Sequence, residues 1–345
     1  MYEKLLLVSF ILLFGEVCLL DNGLARKPPM GWMSWGYYMC SVDCEKNPRK
    51  CLNEQLILSI ADTFYNEGYQ EAGFEYIIID DCWSEKTRDA QGRLVPDRKR
   101  FPRGMKYIAD YIHSRGLKFG MYTNVAEVTC MHYPGSKGHF GVDAKMFAEW
   151  SVDYIKVDGC FVGEEFLNTA YIKFGEHLNA TGRPMVYSCS WPYYIEFIHY
   201  NTPDYKTISR HCNMWRNYHD VVTSWNAIKP IINHYKSRYY ELSPFHKPGQ
   251  WNDMDMLENS ITLWVKPHLP RKGDKYHSVS FALVNLNTKG SSVSFTPGNY
   301  GLNSTDGYTV MDIFTRKYVR NVTLQDTISV TVPPEDVILY TLFPL

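Results

Sequence analysis

Tyr154-Ile155-Lys156-Val157-Asp158-Gly159-Cys160 constrains the fold more than any other stretch of this chain. It is a short apolar strand with one Lys, and it stops abruptly on a carboxylate followed by Gly and Cys. A carboxylate at the C-terminal end of a buried strand is held still by the sheet yet faces an open mouth. Parallel barrels place their chemistry at that mouth. The same grammar recurs in Tyr76-Ile77-Ile78-Ile79-Asp80-Asp81-Cys82-Trp83, in Leu117 to Tyr122 and in Met185 to Trp191. Hydrophobic strands that end in polar residues, separated by helical patterns, predict a βα barrel with Asp158 as candidate nucleophile.

The remaining elements extend this pattern. Met30 to Trp35 reads as the first strand, Glu75 to Asp80 as the second and Leu117 to Tyr122 as the third. Asn53 is placed to cap a helix with an apolar face of Leu56, Ile57, Ile60, Ala61 and Phe64, ended by Gly68. Further helices are expected over Met105–Ser114, Val142–Ser151, Glu164–Leu178 and Thr223–Tyr235, the last bent at Pro230. A fifth strand ends at Ser188-Cys189-Ser190-Trp191, a sixth at Cys212 to Asn217 and a seventh at Gly249 to Leu257. After Leu257 the period changes. Alternating runs such as Val279-Phe281-Leu283 and Ile328-Val330-Val332, with turn residues between them, predict an antiparallel β-sandwich. The expected division is a leader over 1–20, a catalytic barrel over 26–257 and a β-sandwich over 261–345.

Composition narrows the function. The formal net charge of -1 leaves no electrostatic footprint for nucleic acid. One Lys precedes an apolar run of about ten residues, Leu5 to Phe14, which predicts a cleaved signal peptide rather than a membrane anchor. Cys18 would leave with it. Eight Cys remain, an even number that argues for disulfides in an oxidising compartment. Asn179, Asn303 and Asn321 each begin an N-glycosylation sequon. These features predict the secretory pathway, with a lysosomal or secreted end point. The 26 Tyr and 9 Trp supply flat rings that suit sugar surfaces, and equally any core.

Asp158 and Asp220 both follow barrel strands. Paired carboxylates suit glycosidic cleavage, where one attacks the anomeric carbon and the other protonates the leaving oxygen. Asp220 could instead cap its loop, and Asp80 or Asp81 could cap a helix. Lys156, two residues before Asp158, shares its face of the strand. It could keep the nucleophile ionised, or pair structurally with Asp80 or Asp81.

Six motifs in order now point to one family. They are Lys27-Pro28-Pro29-Met30-Gly31-Trp32, Ile79 to Trp83, Lys156 to Cys160, Tyr187 to Pro192, Cys212 to Asn217, and Trp251-Asn252-Asp253 with Asp255-Met256. On these the chain resembles the glycoside hydrolases that include α-galactosidase A and α-N-acetylgalactosaminidase. The resemblance implies a (β/α)8 TIM-type barrel with a C-terminal β-sandwich, and a retaining mechanism with Asp158 as nucleophile and Asp220 as acid/base. Trp35, Asp80, Asp81, Tyr122, Lys156 and Arg216 would bind a terminal galactose-type ring. Ser190 and Tyr193 fall where the family reads the sugar's 2-substituent. Ser190 agrees with the N-acetylgalactosamine branch and Tyr193 with neither, so the pair leans towards N-acetylgalactosamine.

The implied disulfides are Cys40–Cys82, Cys44–Cys51, Cys130–Cys160 and Cys189–Cys212. No metal or organic cofactor is implied. The expected partners are a carbohydrate substrate and a second copy in a homodimer. The chain departs from the family after Leu257, where a helix, the eighth strand and another helix are expected and the β-domain follows directly. An inactive homologue that binds sugar or a partner is the alternative this departure raises.

Overall fold

The computed structural model describes residues 22–253, apart from 72 and 223, and residues 264–345, apart from 273–275, 286–288, 301 and 335. The leader, the expected boundary at 257–261 and the turn Met254-Asp255-Met256 lie outside the described residues.

Seven short strands alternate with helices, as the periodicity requires. They are β1 (Gly31–Met33), β2 (Tyr76–Ile78), β3 (Lys118–Asn124), β4 (Tyr154–Asp158), β5 (Val186–Cys189), β6 (Met214–Arg216) and β7 (Trp251–Asp253). All neighbours pair in parallel, in chain order from β1 to β7. The helices are α1 (Trp35–Tyr38), α2 (Glu54–Asn66), α3 (Gly104–His113), α4 (Phe140–Glu149), α5 (Glu164–Ala180), α6 (Trp191–Tyr193), α7 (Tyr205–His211), α8 (Trp225–Ser237) and α9 (Tyr239–Leu242). Asn53 caps α2 as expected, its side chain accepting from the Leu56 amide at 2.9 Å.

Three expectations shift. Trp35 sits on the helical turn α1, because the strand stops at Met33 and Ser34 turns inward to accept from the Asp80 amide at 2.9 Å. Helix α5 runs past Asn179, since Asn tolerates a helix and only Gly182, at φ +72°, reverses the chain. Helix α7 has no strong sequence period and was not expected. It forms on an Asp204 cap and buries Tyr205 and Ile208.

Two apolar layers hold the barrel. Outside the sheet, residues such as Ile77, Phe119, Ile155 and Trp215 pack under the helices. Inside it, Met33, Tyr76, Ile78, Tyr154, Val186, Met214 and Trp251 fill the lower barrel. Among the described residues β1 and β7 each have one neighbour, so the architecture is a TIM-type barrel lacking its closing strand. The chain laces the lower end of that gap. The Ala25 carbonyl accepts from the Gly249 amide at 2.8 Å and from the Trp251 indole at 2.6 Å. Five residues on, the Met30 carbonyl accepts from the Glu75 and Tyr76 amides.

The C-terminal part is antiparallel. β8 (Trp264–Lys272), β9 (Tyr276–Asn285), β11 (Tyr308–Asp312), β12 (Lys317–Val322) and β14 (Asp336–Pro344) form one sheet, and β10 (Ser291–Phe295) pairs with β13 (Ile328–Val332). Their inner faces share one core, in which Phe281 stacks on Phe295 with centroids 4.6 Å apart. β12 escaped the sequence pattern because all its residues but Val322 are exposed. All four implied disulfides are present.

Gly31 sets how closely β1 approaches β2. A Cβ there would fall 2.1 Å from the Tyr76 carbonyl oxygen, a backbone atom that cannot yield without moving a strand. Gly31→Ala is expected to lower stability by about 1–3 kcal/mol. A fall in the urea midpoint, followed by tryptophan fluorescence, checks it; an unchanged midpoint would show that β1 moves freely.

Candidate active site

The mouth of the barrel holds a cavity of about 200 Å³. Trp35, Asp80, Asp81, Tyr122, Lys156, Asp158, Tyr193, Arg216 and Asp220 all line it. The sequence named each of them. It missed Cys130, Cys160, Tyr194 and Ile198 as lining residues, and it placed Ser190 there. Ser190 is buried beside Asp158, where its hydroxyl helps hold the carboxyl low, and Tyr193 lines the cavity.

Asp158 ends β4 and is held from three sides. Tyr122 donates to its Oδ2 at 3.1 Å, while the Gly159 amide at 3.3 Å and Arg216 Nη2 at 3.2 Å donate to Oδ1. Burial works to raise its pKa, but Arg216 first and Lys156 second outweigh it and hold the carboxyl below the usual range. Asp158 is therefore ionised, as a nucleophile must be. Burial, with the charge on Asp158, pushes the Tyr122 phenol well above its ordinary value and keeps it a donor.

Two adjacent Asp reach one cavity because the chain bends there. β2 ends at Ile78, and Cys82 takes φ +71° where it is bonded to Cys40. Asp80 then accepts from Lys156 Nζ at 2.9 Å, so the structural pairing of that lysine is realised. The same ammonium supports Asp158, so both readings of Lys156 hold. Burial nonetheless raises the Asp80 pKa, with Lys156 pulling against it.

Asp81 has donors but, among the described residues, no ion-pair partner. The Cys82 amide at 2.6 Å and the Met131 amide at 3.0 Å reach its two oxygens. Burial first, and the charge of Asp80, lift its pKa from 3.8 to about 6.

Arg216, at the end of β6, joins the two candidate catalytic carboxylates. Nη2 meets Asp158, and Nη1 lies 3.4 Å from Asp220 Oδ1. Asp220 is 41% exposed, open to water and to a leaving group. The guanidinium lies 4.0 Å from the Tyr193 ring centroid, and the Tyr193 hydroxyl bonds His219 Nδ1 at 3.1 Å. A π turn over Tyr194–Ile198 sets these aromatics at the rim.

An ionised carboxylate beside the cavity and a second, half-open one across an arginine can perform nucleophilic displacement with acid/base assistance. Residues 27–261 match the family model described as alpha galactosidase A, and residues 258–342 match the alpha galactosidase C-terminal beta sandwich domain. The chain belongs to the alpha-galactosidase A, or melibiase, family.

The chain is 46% identical over 239 residues to an alpha-N-acetylgalactosaminidase of Gallus gallus, covering 69% of this chain and 59% of that protein. It is 44% identical over 239 residues to alpha-galactosidase A of Homo sapiens, covering 69% and 55%. The fold matches alpha-galactosidase I from Mortierella vinacea with a TM-score of 0.65 at 24% identity, over 93% of this chain and 98% of that one. The chain spans 59–62% of the length of three curated alpha-N-acetylgalactosaminidases it matches.

Asp81 gives the site a pH signature. As the pH falls from about 6 towards 4 the folded chain takes up a proton there that the unfolded chain would not yet bind, so this group favours folding more at the lower pH. A carboxyl NMR titration of wild type against Asp81→Asn should show one resonance with a midpoint near 6. A midpoint near 4 would place Asp81 in water instead.

Proposed function

We propose that this chain is a retaining exo-α-glycosidase that hydrolyses terminal α-linked galactose-type sugars. The observation that carries the reading is the Asp158–Arg216–Asp220 array in a one-ring cavity. Asp158 would attack the anomeric carbon, and Asp220 would protonate the leaving oxygen and then activate water. A cavity of about 200 Å³ is below the ~300 Å³ at which drug-sized pockets begin. It suits one terminal ring, hence exo-cleavage. Asp80 and Asp81 are acceptors for ring hydroxyls, Trp35 is an apolar wall, and Lys156 can donate to a hydroxyl while it neutralises Asp80. The presence of every carboxylate and cation the chemistry needs gives the inactive-homologue alternative no support.

The ring carbon beside the anomeric centre must sit within one bond of the point that Asp158 attacks. Arg216 contacts Asp158, and the Tyr193 ring covers its guanidinium with the centroid 4.0 Å away. Ser190 is buried with its hydroxyl beside Asp158, whereas Tyr193 lines the cavity. The bulk of Tyr193 favours a 2-hydroxyl over a 2-acetamido group, which makes galactose the preferred sugar.

A secretory route, a lysosomal or secreted location and a homodimer remain part of the proposal. They are supported by the four disulfides, by the exposure of Asn179, Asn303 and Asn321 and by the family. Among the described residues no helix is long and apolar enough to cross a membrane.

Three kinetic outcomes are expected. p-Nitrophenyl α-galactoside should be hydrolysed at least about tenfold faster than its N-acetylgalactosaminide, the scale of one displaced small group in a pocket. Tyr193→Ala should narrow that ratio. Asp158→Gly should abolish turnover, and azide should restore a product of inverted anomeric configuration. Undiminished turnover in Asp158→Gly would remove the nucleophile and the proposal with it.

A further inference from the structure

We propose that His219, on the loop after β6, is a positioning residue that locks the Tyr193 ring in place and so sharpens the choice between sugars. The inference rests on the glycosidase reading for what Tyr193 meets, and on the contacts of His219 for the lock itself.

Tyr193 and His219 follow different strands. Tyr193 ends α6, after β5, and His219 stands a few residues past Arg216, the last residue of β6. The Tyr193 hydroxyl and His219 Nδ1 lie 3.1 Å apart, within hydrogen-bond distance. The imidazole also meets the Tyr193, Phe197 and Tyr218 rings, with centroids 5.3, 5.1 and 4.8 Å away. Phe197 in turn stacks on Tyr193 at 5.6 Å with 25° between planes. His219 is therefore seated against three rings, although it remains exposed to water. Its neighbours on the loop serve Arg216. The Tyr218 carbonyl accepts from Arg216 Nη1 at 2.7 Å, and Asp220 faces the same nitrogen.

Tyr193 thus has two polar supports of different kinds. The Arg216 guanidinium lies 4.0 Å from the ring centroid. A cation over a π face fixes the ring's height but tolerates sliding, because the attraction is spread across the face. A hydrogen bond at the phenol tip is directional and removes that freedom. Selection against a bulky 2-substituent needs a wall that cannot step aside. A half-buried tyrosine free to swing would admit a 2-acetamido group, whereas one tied at its tip excludes it. His219 does not line the cavity, so it acts on the sugar through Tyr193 and not by contact.

A double-mutant cycle on the full chain tests the lock. Its readout is the ratio of kcat/KM for p-nitrophenyl α-galactoside to that for the N-acetylgalactosaminide. Both substrates share one leaving group, so a disturbance of the neighbouring Asp220 cancels in the ratio. Tyr193→Phe and His219→Phe should each lower the ratio by about fivefold, the factor that ~1 kcal/mol of hydrogen bond is worth. The double variant should lower it no further, and the change should lie in KM for the N-acetylgalactosaminide, not in kcat. His219→Asn, which restores a polar group near the Nδ1 position, should regain most of the preference. The nitrogen NMR resonance of His219 Nδ1 should move in Tyr193→Phe. An unmoved resonance, an unchanged ratio in His219→Phe or additive losses in the double variant would overturn the lock. So would His219→Asn performing no better than His219→Phe. A wild type that favours N-acetylgalactosamine, with the cycle still non-additive, would correct the sugar and leave the lock standing. If both free sugars bind and neither glycoside is hydrolysed, the same cycle is read from their dissociation constants, and only the proposed reaction falls.

Discussion

The mouth of the barrel concentrates charge where water is scarce, and the rest of the site follows from how that charge is balanced. Among the described residues, Asp80, Asp81 and Asp158 are buried with Lys156 and Arg216 against them. Each carboxylate's behaviour reflects its share of the cations. Asp158, reached by both, is held low, whereas Asp81, reached by neither in an ion pair, is pushed up. An ionised carboxylate beside the reacting carbon favours the oxocarbenium-like transition state that glycosidic cleavage passes through. The half-exposed Asp220 stands at the edge of this cluster, 3.4 Å from Arg216 Nη1.

Covalent bonds keep the cluster in place. Cys40–Cys82 fixes the bend that turns both aspartates after β2 inward, and Cys130–Cys160 braces the end of β4. Cys160 Sγ lies 2.9 Å from the Tyr194 hydroxyl, so the disulfide also anchors the aromatic rim.

The strand grammar of Tyr154 to Cys160 made the barrel, the sheet order, the cavity's carboxylates and Lys156 legible, because strand ends in a parallel barrel converge on one mouth. Motif resemblance added Trp35, Tyr122, Tyr193 and Arg216, which no periodicity marks. What stayed hidden depends on three dimensions. Ser190 and Tyr193 are three residues apart, and the turn at α6 decides that Tyr193 lines the cavity while Ser190 packs beside Asp158. Tyr194 and Ile198 enter through a π turn, whose five-residue spacing breaks the helical period that sequence reading relies on. Lys156 showed the opposite difficulty: its two readings were posed as rivals, and one ammonium between two carboxylates satisfies both.

The missing eighth strand bears on which parts of the site are rigid. β1 and β7 are three residues each, so the open edges expose few backbone groups, the way natural sheets keep edges short. Below the strands, the path from Ala25 to Met30 crosses the gap with hydrogen bonds at both ends, and Trp251 plugs the inner layer beneath it. Among the described residues the gap is thus laced at the bottom and uncovered at the top. Of the cavity's charged groups, the buried five stand on or just past β2, β4 and β6, all within the continuous part of the sheet. Trp35 alone rides on the element beside the opening, so a less constrained edge costs the apolar wall first and the charge cluster last. Chemistry that depends on charge placement to within about 1 Å is therefore compatible with a barrel closed on one end, provided the substrate itself holds Trp35 in place.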